Sequence, residues 1–166
     1  MSDNSSSLKL SSSAFSDGGS MDSKYTCEGS DISPDLSWTG APANTKSFAL
    51  IVDDPDAPDP AAPKMVYVHW VVYNIPGGTT MLPENATKSG LPGGTAQGTN
   101  DWKKQQYGGP CPPIGRHRYF FKLFALDSLL TGLGPPTKPE LLKAMEGHIL
   151  AHTELVGTYQ KTAQKK

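Results

Sequence analysis

Three short stretches set titratable side chains at the ends of apolar runs. They are Asp54-Pro55-Asp56-Ala57-Pro58, which follows SFALIV at 47–52, His69 within VYVHWVVYNI at 66–75, and Gly115-Arg116-His117-Arg118-Tyr119, which opens HRYFFKLFAL at 117–126. A strand end is a rigid mount for a functional group. Two imidazoles and a carboxylate on such mounts have an evident joint use. The ring N–H groups donate to a phosphate or another oxyanion, while the carboxylate holds one ring in a fixed tautomer and favours its charged form. In Gly108-Gly109-Pro110, the lack of a Cβ lets backbone N–H groups approach the same anion. Asp54, His69 and His117 also have the composition of a two-histidine, one-carboxylate metal triad for hydrolysis or oxygen chemistry.

Each motif alone has a plain structural use. DPDAP is a turn sequence, a lone strand histidine commonly bonds a backbone carbonyl, and Arg-His-Arg suits a solvated strand entry. It is their joint occurrence that points to a site. His148 and His152 stand four apart. On a helix they would share a face, but no third ligand accompanies them, so they read as histidines near a helix C-terminus, where positive charge is favoured. The sequence holds no GxSxG elbow, HExxH pair or Walker loop, which favours binding over catalysis and calls for no cofactor or metal.

The positioning elements are mostly strands. Residues 47–52 form a continuous apolar run, as in a strand buried on both faces. Residues 66–75 are dense in β-branched and aromatic types, and strict alternation puts Tyr67, His69, Val71 and Tyr73 on one face and Val68, Trp70 and Val72 on the other. Residues 117–126 place His117, Tyr119, Phe121, Leu123 and Ala125 together. Residues 32–38 alternate as a half-buried strand, and 155–159 read as a closing strand. One helix is expected, opened by a capping box at Thr137-Lys138-Pro139-Glu140 and continued with helical period through Leu141, Leu142, Met145, His148 and Ile149. Residues 76–116 form a long Gly/Pro-rich loop region, a usual place for function. The fold class is mainly β: an antiparallel sandwich with a few peripheral short helices. Residues 1–7 read as a disordered tail and 8–162 as a single domain.

Composition narrows the function. The 166 residues include 17 glycines and 15 prolines, with 36% apolar residues and a net charge of −1. No basic stripe suggests nucleic acid, and no apolar stretch approaches the roughly 20 residues that span a bilayer. The Ser-rich N-terminus has no signal-peptide pattern. A cytoplasmic chain is therefore expected, with Cys27 and Cys111 as reduced thiols.

Taken together, DPDAP at 54–58, VHWVVYNIP at 68–76, YGGPCPP at 107–113 and GRHRYF at 115–120 resemble the phosphatidylethanolamine-binding protein family, which has Raf-kinase-inhibitor-like members. The compact length and GGPCPP are closer to its bacterial-type branch. The resemblance implies a β-sandwich with a small pocket at one end for phosphate-type anions, such as the head group of phosphatidylethanolamine. It assigns ligand contacts to Asp54, His69, His117 and Tyr119, a rim to Pro58, Gly109 and Pro113, and a cis bond to Ala57–Pro58. The expected partners are a small phosphate- or carboxylate-bearing ligand and a kinase or protease. A metal-dependent hydrolase and a homodimeric interaction protein with a vestigial pocket stand as alternatives. The connection from Tyr107 to His117 is shorter than in mammalian members, and little chain follows Tyr159, so kinase inhibition transfers weakly.

Overall fold

The computed structural model describes residues 7–86 and 90–161; positions 1–6 of the expected tail and position 162 lie outside them. The strands are β1 (Lys9–Ser11), β2 (Gly19–Ser20), β3 (Leu36–Thr39), β4 (Ser47–Ala57), β5 (Met65–Pro76), β6 (Met81–Leu82), β7 (Ala96–Gln97), β8 (His117–Leu126) and β9 (Ile149–Tyr159), with one α-helix, α1 (Lys138–Met145). They form a six-stranded sheet in the order β2-β9-β8-β4-β5-β7 and a three-stranded sheet in the order β1-β3-β6. Every pairing is antiparallel except the short parallel β2–β9 contact.

Alternation along β4 and β8 divides the apolar residues between two cores. Phe48, Leu50, Val52, Tyr119, Phe121 and Leu123 join Trp38 and Leu36 between the sheets. Ala49, Ile51 and Leu126 face the other way, against Leu141 and Met145 of α1. On that outer face the buried Asp53 carboxylate accepts from Lys122 (3.1 Å) and Lys138 (2.6 Å), which ties the start of α1 to the centre of the sheet.

The β5 faces differ from strict alternation. Val52 pairs with Trp70 but its neighbour Asp53 pairs with Val68, so one extra β5 residue is accommodated at His69. Such a bulge rotates the side chains beyond it. Val68 therefore packs with Val71 and Tyr73 in the outer core, not with Trp70 and Val72, and Tyr67 and His69 swing toward Tyr119.

The loop after β7 covers the bulged edge. Asp101 accepts from the Val68 N–H and donates its own N–H to the Val68 carbonyl, while the Gly108 N–H donates to the His69 carbonyl. Asn100 holds this loop from inside, accepting from the N–H groups of Trp102 and Lys104 and donating to the Gln106 carbonyl. The long 76–116 segment is thus partly a backbone supplement to β5, with β6 and β7 inside it.

Three sequence expectations are corrected. The helical period does not reach His148 or Ile149. The helix ends at Met145, Gly147 takes φ +81°, and β9 begins at Ile149, earlier than the expected 155. His148 and His152 consequently share no helix face; His148 meets Asp127 at 2.8 Å, and His152 lies opposite Phe124. The expected strand over 32–38 is shortened to Leu36–Thr39, since Pro34 interrupts it. Finally, Cys27 and Cys111 are joined in a disulfide.

That cross-link spans 84 positions. Bridges over long loops commonly contribute about 2–4 kcal/mol, largely by restricting the unfolded chain. The Cys27→Ser/Cys111→Ser double variant should lose about that much stability in urea unfolding, and dithiothreitol should lower the wild type equally. Identical unfolding curves with and without reductant would contradict the pairing.

Candidate functional site

The two motifs that flank the centre of the large sheet meet residue for residue. Asp54 and Asp56 point to opposite sides of β4, as do His117 and Arg118 on neighbouring β8. On the inner side, Asp54 Oδ2 lies 2.5 Å from His117 Nδ1. On the outer side, Asp56 accepts from the Arg118 backbone N–H, Nε and Nη2, each at 2.9 Å. The guanidinium bonds hold the Asp56 carboxyl below its ordinary range. Asp54 Oδ1 also accepts from the Asp56 N–H at 2.7 Å, closing a local turn that fixes the first carboxylate. The bond between Ala57 and Pro58 is cis.

The His117 ring is fully enclosed, and both of its nitrogens are engaged. Nε2 donates to the carbonyls of Ile114 (2.8 Å) and Pro58 (3.1 Å). A carbonyl can only accept, so Nε2 carries a proton. Nδ1 and Asp54 Oδ2 then share a second proton, and the pair is neutral overall whichever partner holds it. Burial pushes the Asp54 carboxyl up, against the lowering effect of its bond to His117.

His69 is the other imidazole, 3% exposed. Its Nδ1 donates to the Gly108 carbonyl at 2.8 Å, which leaves Nε2 as an acceptor in the neutral ring. Burial brings its pKa down to about 4 from the usual 6.5. Tyr119 stands between the histidines, edge-on to His69 at 5.2 Å and stacked beside His117 at 6.3 Å between centroids. Its hydroxyl is buried without a hydrogen-bond partner, and burial raises its pKa well above that of free tyrosine.

These groups wall an open cavity of about 390 Å³ whose remaining lining is apolar or aromatic: Ala57, Pro58, Met65, Tyr67, Trp102, Cys111, Pro112 and Pro113. Of the residues marked by the sequence, Asp54, Pro58, His69, Pro113, His117 and Tyr119 converge here. Gly109 does not. It lines an adjoining hollow of about 200 Å³, and its N–H donates to Asp31 Oδ1 at 2.7 Å instead of facing the cavity. A Cβ there would run into Asp31 and the Tyr25 carbonyl. The expected donation from two imidazole N–H groups is likewise corrected, because the protein itself already accepts from each of them. Among the described residues no group of three or more His, Cys, Asp or Glu could hold a metal ion.

The family model for phosphatidylethanolamine-binding protein matches residues 11–160. The chain belongs to the phosphatidylethanolamine-binding protein family. It is 49% identical over 155 residues to a UPF0098 protein of Methanothermobacter thermautotrophicus, covering 93% of this chain and 99% of the relative. The crystal structure of a homologue from Chlamydia trachomatis matches with a TM-score of 0.85 and 41% identity, over 93% of this chain and 98% of that one. Escherichia coli YbcL, described as a new member of the mammalian PEBP family, matches with a TM-score of 0.84 and 32% identity, over 94% and 99% of the two chains. No helix among the described residues of this family member is long and apolar enough to cross a membrane.

Sequence reasoning missed Met65, Tyr67 and Trp102 as wall residues of this PEBP-family cavity. Met65 and Tyr67 precede His69 at period two, a readable signal. Trp102 is an aromatic residue amid the polar run 99–106. It packs edge-on against both Tyr67 and His69 at 5.0 Å, and Gly108 leaves the space that its ring needs.

The depressed His69 pKa links the site to stability. The folded state resists protonation down to about pH 4, whereas the unfolded ring takes a proton below about 6.5. Stability from this group is therefore complete above pH 6.5 and is lost as pH falls toward 4. The loss should total on the order of 3 kcal/mol, and His69→Gln should flatten that part of the urea-unfolding pH profile. A wild-type profile level between pH 7 and 4.5 would contradict the buried neutral ring.

Proposed function

We propose that this chain is a binding module rather than an enzyme, and that its cavity takes a small phosphate-type group such as a phospholipid head group carries. One observation carries the reading: Tyr119, 1% exposed, lines an open cavity, and its buried hydroxyl has no hydrogen-bond partner in the protein. Leaving a buried hydroxyl unpaired costs about 1–3 kcal/mol. A ligand oxygen seated against it would remove that cost and gain a directed hydrogen bond. The cavity falls in the usual size range for small-ligand sites and is mainly apolar with a few convergent polar groups. Membership of a family named for binding phosphatidylethanolamine supports the same ligand class.

The metal-triad alternative lacks free ligand atoms at two of its three members: His117 has both nitrogens committed, and the Asp54 oxygens already accept from that ring and from the Asp56 N–H. The domain carrying this function is taken as residues 8–162. Its compartment reading shifts with the disulfide. Both cysteines are exposed, and exposed pairs stay reduced in most cytosols, so an oxidising compartment, or the cytosol of a hyperthermophile, suits this chain better than the ordinary cytoplasm first expected.

Tyr119→Phe separates ligand binding from folding. The variant should bind inorganic phosphate at least tenfold more weakly in an NMR titration. Its stability in urea should be unchanged or higher by about 1 kcal/mol, because an unsatisfied polar atom has been deleted. Unaltered phosphate affinity would remove the hydroxyl from the reading.

A further inference from the structure

We infer that the Cys27–Cys111 bridge is a thiol-exchange site that latches one wall of the cavity, so that a dithiol reductant lowers the cavity's affinity without unfolding the chain. The effect on affinity rests on the phosphate-binding reading above; the exchange chemistry does not.

The placement of the two cysteines carries it. Both are exposed, and exposed bridges are the labile ones, because an attacking thiolate must reach a sulfur directly. Cys27 and Cys111 also line the open hollow of about 200 Å³ beside the cavity, together with Asp31, Trp102 and Lys104. That hollow gives an incoming thiol room to approach from solvent. A lysine ammonium there favours the thiolate form, while the Asp31 carboxylate is engaged by the Gly109 N–H. Cys111 further lines the ligand cavity itself, followed by Pro112 and Pro113. One residue of the bridge therefore belongs to both hollows.

The other ties on that wall are unevenly spread. Before the bridge, residues 107–110 are sewn to the 25–31 loop by three hydrogen bonds. The Tyr107 hydroxyl donates to the Tyr25 carbonyl (2.9 Å), the Gly109 N–H to Asp31 Oδ1 (2.7 Å), and the Cys27 N–H to the Pro110 carbonyl (3.1 Å). Beyond the bridge, the Ile114 carbonyl accepts from His117 Nε2 at 2.8 Å. Between these anchors stand Cys111, Pro112 and Pro113, and a proline has no N–H to donate. The bridge is the covalent tie at this span. Opening it frees the span to shift, while the two sheets keep their packing, since both cysteines lie outside the strands.

The exchange balances as two displacements. One thiolate of the reductant attacks a cysteine sulfur. The bridge breaks, and the other cysteine leaves as a thiolate and takes a proton. The reductant's second thiol then displaces the attacked cysteine from the mixed disulfide and closes the reductant's own disulfide. Two electrons pass to the protein, and both cysteines end as thiols.

Dithiothreitol is a suitable probe. Added to the intact protein, it should open the bridge at a rate proportional to its concentration and unchanged by urea below the unfolding transition, as attack on the folded chain requires. A rate that climbs with urea, following the unfolded population, would overturn the inference. The reduced protein and the Cys27→Ser/Cys111→Ser variant should both keep the wild-type amide spectrum of the core. In each, hydrogen exchange at the Gly109 N–H should be at least tenfold faster, and inorganic phosphate should bind at least about fivefold more weakly in an NMR titration. Equal phosphate affinity in the oxidised and reduced states would overturn the latch. If neither state binds phosphate, the phosphate reading falls and takes the affinity claim with it. The thiol-exchange site is then decided by the reduction rate and by Gly109, whose unaltered exchange would overturn it as well.

Discussion

The hydrogen bond between Asp54 and His117 organises everything around it. The two groups sit 2.5 Å apart, both enclosed, on adjacent strands that meet in the middle of the large sheet. A buried carboxylate or a buried imidazolium alone would be costly, since each would have left water without compensation. Joined, they form a neutral unit that is acceptable in the interior. The remaining ring nitrogen then ties β8 to the loops on both sides through the carbonyls of Ile114 and Pro58. The floor of the cavity is thus a cross-brace between two distant motifs. Its role is to hold shape and to set local charge, and none of its N–H groups is left over for a ligand.

Presentation falls to the two residues beside that brace. Tyr119 reaches the cavity because β8 alternates regularly. His69 reaches it because β5 does not: a single-residue bulge turns the ring away from Val71 and Tyr73. The bulge would leave backbone groups of β5 unpaired at the sheet edge, and the loop after β7 satisfies them through Asp101 and Gly108. The same loop accepts the His69 Nδ1–H and so fixes its tautomer. One stretch of chain therefore repairs the edge, decides which His69 nitrogen is left uncommitted and delivers Trp102 to the wall. The Cys27–Cys111 bridge anchors the far end of that stretch.

How legible all of this is in the sequence depends on the kind of interaction. The β8 faces follow directly from period-two alternation, and Asp54, His69, His117 and Tyr119 are recoverable because unlike side chains recur at the ends of apolar runs. The bulge leaves no such mark. Val68, His69 and Trp70 are all acceptable strand residues, and only pairing with β4 decides which one is surplus. The early start of β9 is hidden because Met145, His148 and Ile149 satisfy helical spacing. Gly147 was the available stop signal, and its φ of +81° accounts for the break. The disulfide and the engagement of the Gly109 N–H depend on two loops meeting across 84 and 78 positions, a separation over which local patterns carry no information.

The account turns on the two imidazoles having different states: His69 neutral with its proton on Nδ1, and His117 engaged at both nitrogens. Long-range proton–nitrogen NMR on uniformly labelled protein reads those states directly. At pH 6 it should find His69 as the Nδ1–H tautomer with no titration above pH 5, and His117 with a hydrogen-bonded proton on Nε2. A His69 ring that titrates near pH 6.5, or that carries its proton on Nε2, would contradict the arrangement on which the proposed ligand chemistry depends.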